Sequence, residues 1–202
     1  MSLTDAYVVK KNSEKRRTND FYPTAPIATL SLLKNHHVPT FLWEPAAGRG
    51  HITKELRRNH HIVRSSDLNE YEDSLVDDIE TGVDFLTAPL KDVDGVITNP
   101  PYLNDLPQKF IERFTKEYGF VAVFARLTFM ESAKRFELFS KNPPSDIYVF
   151  SQRIQCSDEY FHPKEKQIGG MVAYAWFVWD KTGFDGDTRT KWIKPSNYLG
   201  LL

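Results

Sequence analysis

The residues most able to do chemistry are four in a row, Asn99-Pro100-Pro101-Tyr102, at the end of the apolar run Val96-Ile97-Thr98. An exocyclic amine on an aromatic ring is a poor nucleophile, because its lone pair is delocalised into the ring. Two acceptors aimed at its N–H bonds can localise that pair on nitrogen. Asn99 supplies a side-chain carbonyl, Pro100 a backbone carbonyl, and the paired prolines hold both with little conformational freedom. Tyr102 adds a flat face for a base, a contact worth ~1–3 kcal/mol per base. The plainer alternative, a proline turn that ends a strand, survives only if the glycine turn and Asp67 described next are coincidences.

Two further clusters bear on that choice. In "EPAAGRG", Glu44 and Pro45 end an apolar stretch, and Ala47, Gly48 and Gly50 lead into a helical one. Glycines let a backbone approach a ligand closely, and a helix N-terminus favours an anionic group. Asp67 ends the next apolar stretch, placed to accept hydrogen bonds from two vicinal ribose hydroxyls. Each could be a plain turn. The separation of Gly50 from Asp67 is that of one helix plus one strand, so together the two describe a nucleoside-cofactor site.

The elements that must position these groups alternate. Residues 40–45 read as a short buried strand, 51–59 as a helix and 61–68 as a second strand. Residues 83–86 are expected to form a short third element and 92–99 a fourth strand. A helix over 106–118 places Phe110, Ile111 and Phe114 on one face. A fifth, wholly apolar strand spans 119–126, a helical segment 128–141, and strands 145–153 and 169–181 follow. Near-continuous apolar strands alternating with helices predict a mostly parallel sheet covered on both faces. The last two strands are joined by a polar loop and are expected to form an antiparallel pair at one edge.

Length and composition narrow the class. The 202 residues fit one domain, and 41% hydrophobic and 26% charged residues are ordinary for a globular chain. No apolar run approaches a membrane span, so no membrane partner is expected. The N-terminus has no signal-peptide pattern and the lone Cys156 cannot form an internal disulfide, which makes the cytoplasm the expected compartment. A net charge of −1 decides nothing about polyanions. Lys10, Lys11, Lys15, Arg16 and Arg17 could meet phosphates, or belong to a solvated tail over residues 1–19 that precedes a single domain, 20–202.

Across residues 20–181 the chain resembles the class I S-adenosylmethionine-dependent methyltransferases with an N-P-P-Y motif, and most of all the small phage and prophage DNA adenine methyltransferases. The resemblance rests on Phe21-Tyr22-Pro23-Thr24, on Glu44, Pro45, Gly48 and Gly50, on Asp67, on Asp84 and Phe85, and on Asn99 to Tyr102. It implies an α/β, Rossmann-like fold with a seven-stranded sheet in the order 3-2-1-4-5-7-6, strand 7 antiparallel and helices on both faces. S-adenosylmethionine would be bordered by Tyr22, Pro23, Thr24, Glu44, Pro45, Ala47, Gly48, Gly50, Asp67, Asp84, Phe85 and Asn99. The methyl acceptor would be the amino group of adenine in DNA, flipped out of the helix, with no metal required. Tyr174 to Trp179, also familiar, should be core packing.

The chain departs from that pattern in two ways. It has no separate target-recognition domain, and Cys156 stands three residues after Arg153, where relatives carry an aromatic. Phe161 could close the second face of the base clamp, or could anchor its loop. The same clamp would also suit a glutamine side-chain amide in a protein, and a non-catalytic cofactor- or DNA-binding remnant is the third reading.

Overall fold

The computed structural model describes residues 22–156 and 167–202, so the basic N-terminal segment and Phe161 lie outside the described residues. In chain order the elements are α1 (Pro26–Leu33), β1 (Phe41–Glu44), α2 (His51–Arg58), β2 (Ile62–Ser66), β3 (Ile79–Glu80), β4 (Gly95–Thr98), α3 (Leu106–Glu117), β5 (Phe120–Arg126), α4 (Ala133–Lys141), β6 (Asp146–Phe150), β7 (Tyr174–Asp180) and β8 (Arg189–Ile193). They build one sheet in the order β3-β2-β1-β4-β5-β7-β6-β8. β7 runs antiparallel to both β5 and β6, and every other pairing is parallel.

Apolar residues in the central strands are continuous because both faces of the sheet are covered. Along β7, Tyr174, Trp176 and Val178 enter one core with Ile27, Leu30 and Leu32 of α1 and Ile52 and Leu56 of α2. Ala175, Phe177 and Trp179 enter the other, with Phe110, Ile111 and Phe114 of α3 and Leu138 of α4. The stretch 174–179 is therefore core, as expected. The indole of the fully buried Trp176 donates to the Ala28 carbonyl at 2.9 Å, so its burial leaves no polar atom unpaired.

Three expectations are corrected, and one helix answers to no expectation. The third strand is Ile79–Glu80, not residues 83–86. Asp84 forms a turn there instead, accepting the Leu86 N–H on its side chain and the Thr87 and Ala88 N–H groups on its carbonyl. The strand forms four residues earlier, where the fork of Arg57 grips Asp78 at 2.7 and 2.9 Å and Lys91 pairs with Glu80. Secondly, the sheet has eight strands: β8 pairs with β6, so the β6–β7 pair is not the edge. Thirdly, the helical segment after β5 breaks at Ser132, whose φ of 121° lies outside the helical region, and only α4 is regular. Lastly, α1 was not expected from the sequence at all. It starts with Pro26 in its first turn, where a missing N–H costs nothing.

Candidate functional site

The carboxyl ends of β1, β2 and β4 meet at one cavity of about 360 Å³, the place where open α/β sheets bind ligands. After β1 the chain turns through Gly48 (φ 55°) and Gly50 (φ 82°) into α2. Gly50 does not line the cavity. A Cβ there would sit 2.5 Å from Val76 Cγ2, so its glycine serves the turn and the close packing behind it. Ala47 donates to the Ser66 carbonyl at 3.0 Å, which ties the turn to the end of β2.

Asp67 completes that tie. One carboxylate oxygen accepts the Gly48 N–H at 2.7 Å and the other accepts the Asn69 N–H at 2.8 Å. Burial raises its pKa, and the two backbone donors oppose the shift. Glu44 is deeper, only 1% exposed. Its carboxyl accepts the Thr53 N–H at 2.8 Å and the Thr53 hydroxyl, and burial pushes its pKa up to about 8. At neutral pH Glu44 is therefore largely protonated while Asp67, better supplied with backbone donors, faces the same cavity.

Across the cavity, Asn99 follows β4. Its amide nitrogen donates to the Tyr22 carbonyl at 2.8 Å and to Thr24 Oγ1 at 3.0 Å. Its carbonyl oxygen accepts the Tyr102 hydroxyl at 2.8 Å. The reversed amide would set oxygen against the Tyr22 carbonyl, so the network fixes which atom points where. The rings of Tyr22 and Tyr102 meet edge to face, centroids 6.0 Å apart. Phe85 packs edge-on against Phe110, and Arg113 donates to the carbonyls of Phe85 and Ala88, which fastens the 84–88 turn to α3.

The cavity thus gathers Tyr22, Pro23, Thr24, Glu44, Pro45, Ala47, Gly48, Asp67, Asp84, Phe85 and Asn99 to Tyr102 from segments far apart in sequence. Leu68, Asn69 and Tyr71 also line it and were not singled out from the sequence. Leu68 and Asn69 directly follow Asp67 and could have been found by extending that strand end. Tyr71 lies in an acidic connection without periodicity, and nothing marked it. A fourth missed residue is Arg126 at the end of β5. Its guanidinium carbon lies 5.3 Å from the centroid of the Tyr102 ring and 5.8 Å from that of Tyr22.

No protein-family profile matches this chain, and no curated protein matches it in sequence. Solved structures do resemble it. A Listeria monocytogenes protein described as a class I S-adenosylmethionine-dependent methyltransferase superposes with a TM-score of 0.61 at 13% identity, covering 92% of this chain and 71% of its own. The Mtq2–Trm112 complex of E. cuniculi, which methylates the termination factor eRF1, gives 0.54 at 15% identity over 80% of this chain and 99% of that one. A chain described as the modification subunit of a type I restriction enzyme from Vibrio vulnificus gives 0.52 at 14%, covering 83% and 45%. Together with the strand order and the reversed β7, these define the fold as the Rossmann-like fold of class I S-adenosylmethionine-dependent methyltransferases. Among the described residues, no helix is long and apolar enough to cross a membrane.

Proposed function

We propose that the protein is an S-adenosylmethionine-dependent N-methyltransferase acting on the exocyclic amino group of adenine in DNA. The observation that carries this reading is the anchoring of Asn99. Both of its amide donors face protein acceptors, so what it offers a substrate is its carbonyl oxygen, held in a fixed direction at a cavity that Pro100 also lines.

The residues present fit the cofactor. A cavity of about 360 Å³ with apolar walls at Leu68 and Phe85 and carboxyl groups at Glu44, Asp67 and Asp84 suits a nucleoside bearing hydroxyls and a cationic tail. Asp67 would take ribose hydroxyls on the carboxylate lone pairs that Gly48 and Asn69 leave open, and Phe85 would face the adenine ring. When bound, S-adenosylmethionine supplies an electrophilic methyl group. The chain's own part is to place the acceptor amine. Asn99 Oδ1 and the Pro100 carbonyl accept its two N–H bonds and localise its lone pair, while Tyr102 stacks on the base. To admit the amine, the Tyr102 hydroxyl shares or yields the oxygen it now occupies.

A glutamine amide presents the same NH₂ group, and the structural likeness to Mtq2–Trm112 keeps that substrate as the second reading. The likeness to the modification subunit of a type I restriction enzyme and the aromatic pair Tyr22–Tyr102 favour the base. The separating experiment offers methyl-labelled cofactor with double-stranded DNA or with a glutamine-containing peptide. Label in DNA alone supports the proposal, label in the peptide alone transfers it to the second reading, and label in neither supports a non-catalytic remnant.

A further inference from the structure

We infer that Arg126 is a substrate-binding residue whose guanidinium takes a backbone phosphate of the DNA strand beside the flipped base. The inference rests on the DNA reading above and assigns a residue that the motif reading did not reach.

Arg126 is set apart by what it lacks. Arg57, Arg135 and Arg189 hold carboxylates, and Arg113 and Arg153 hold backbone carbonyls. Among the described residues Arg126 joins no ion pair. Its Nε is buried without a hydrogen-bond partner, and its head contacts the Tyr174 hydroxyl, a neutral group. A desolvated donor beside an unneutralised cation is costly unless an acceptor arrives.

The position says what kind of acceptor. β5 lies next to β4, so Arg126 stands beside the turn carrying Asn99 and Tyr102. The guanidinium rests against Tyr102, the ring proposed to stack on the base, and against Tyr22 beside it. A base stacked on Tyr102 brings its own sugar and phosphates within the reach of that head. Its planar fork of donors matches phosphate oxygens, and among the described residues no carboxylate pairs with it. A glutamine peptide offers no such anion at that place, so Arg126 would also favour nucleic acid over peptide.

The test is the salt dependence of binding to an adenine-containing DNA duplex. Each phosphate contact contributes about 0.9 to the slope of log affinity against log salt. Between 50 and 200 mM KCl the wild type should therefore lose about 3.5-fold more affinity than Arg126→Gln. Arg126→Lys keeps the charge and should keep the wild-type slope, and if Arg126→Gln folds poorly, the uncharged, apolar-stemmed Arg126→Met should show the same flattened slope. Arg64→Gln, at an exposed position over Phe41, should leave the slope unchanged. An Arg126→Gln slope equal to wild type overturns the inference, even if overall affinity falls. So does weakened S-adenosylmethionine binding at an unchanged slope, which would place the head on the cofactor's side. If the wild type neither binds nor methylates DNA, the substrate reading has failed. If it methylates DNA and only the slopes agree, Arg126 alone has failed.

Discussion

Replacing Glu44 by glutamine should remove a pH dependence of stability that the buried carboxyl imposes. The group is 1% exposed at the end of β1. The hydroxyl of its partner Thr53 also touches Ser65 Oγ at 2.7 Å, and Asp67 adds a second acid nearby. Burial is the chief reason its pKa rises from 4.5 to about 8. Between those values the folded state keeps a proton that the unfolded state has lost, so stability falls as pH rises. The steepest slope is about 1.4 kcal/mol per pH unit, and the full window amounts to roughly 5 kcal/mol. Below pH 4.5 the group costs nothing, and above pH 8 the whole cost is present. Glutamine is neutral throughout and can still accept the Thr53 N–H. Asp67, raised in the same direction, is common to both proteins, so their difference isolates Glu44. Denaturant unfolding at pH 5, 6, 7 and 8 gives the two curves. Glu44→Gln should gain on wild type steadily over that range, and parallel curves would refute a buried, protonated Glu44.

Three other substitutions probe the site. Asp67→Ala should weaken S-adenosylmethionine binding by ~1.5–3 kcal/mol in calorimetry, since it removes charge-assisted acceptors and releases the Gly48 N–H. Gly50→Ala should destabilise the fold by about 1–2 kcal/mol from its left-handed backbone alone, with more from the encounter with Val76, read as a lower denaturation midpoint. Tyr102→Phe should keep base stacking but free the Asn99 carbonyl. We expect DNA affinity close to wild type, whereas Tyr102→Ala should lose on the order of tenfold from the ~1–3 kcal/mol of stacking.

The central strands were legible because β1, β4, β5 and β7 are apolar runs bounded by turn residues, while their order was implied by the family resemblance and not by the runs themselves. What escaped were elements whose sequences carry no such contrast. β3 is two residues long and sits in an acidic stretch, held by Arg57 and Lys91 rather than by its own propensity. β8 is an edge strand with four exposed residues, Trp192 among them at 72%, so no buried face patterns it. α1 is apolar nearly all round because it is buried between α2 and the C-terminal 3-10 segment Pro195–Leu201, and a short apolar run does not by itself declare a helix. Around the cavity, Gly48, Asp67 and Asn99 announced themselves by type and spacing. The Tyr22 carbonyl that orients Asn99, and the placement of Arg126, depend on contacts between segments distant in sequence, and no local pattern encodes them.

The central claim is that Asn99 polarises an adenine amino group for methyl transfer. It is tested by incubating the protein with S-adenosylmethionine and unmethylated DNA, digesting to nucleosides, and measuring N6-methyladenine for the wild type and Asn99→Ala. The wild type should produce it. Asn99→Ala should produce at least a hundredfold less at matched cofactor occupancy, as expected for loss of a transition-state contact worth ~3 kcal/mol. N6-methyladenine formed equally fast by Asn99→Ala, or none formed by the wild type, would contradict the account.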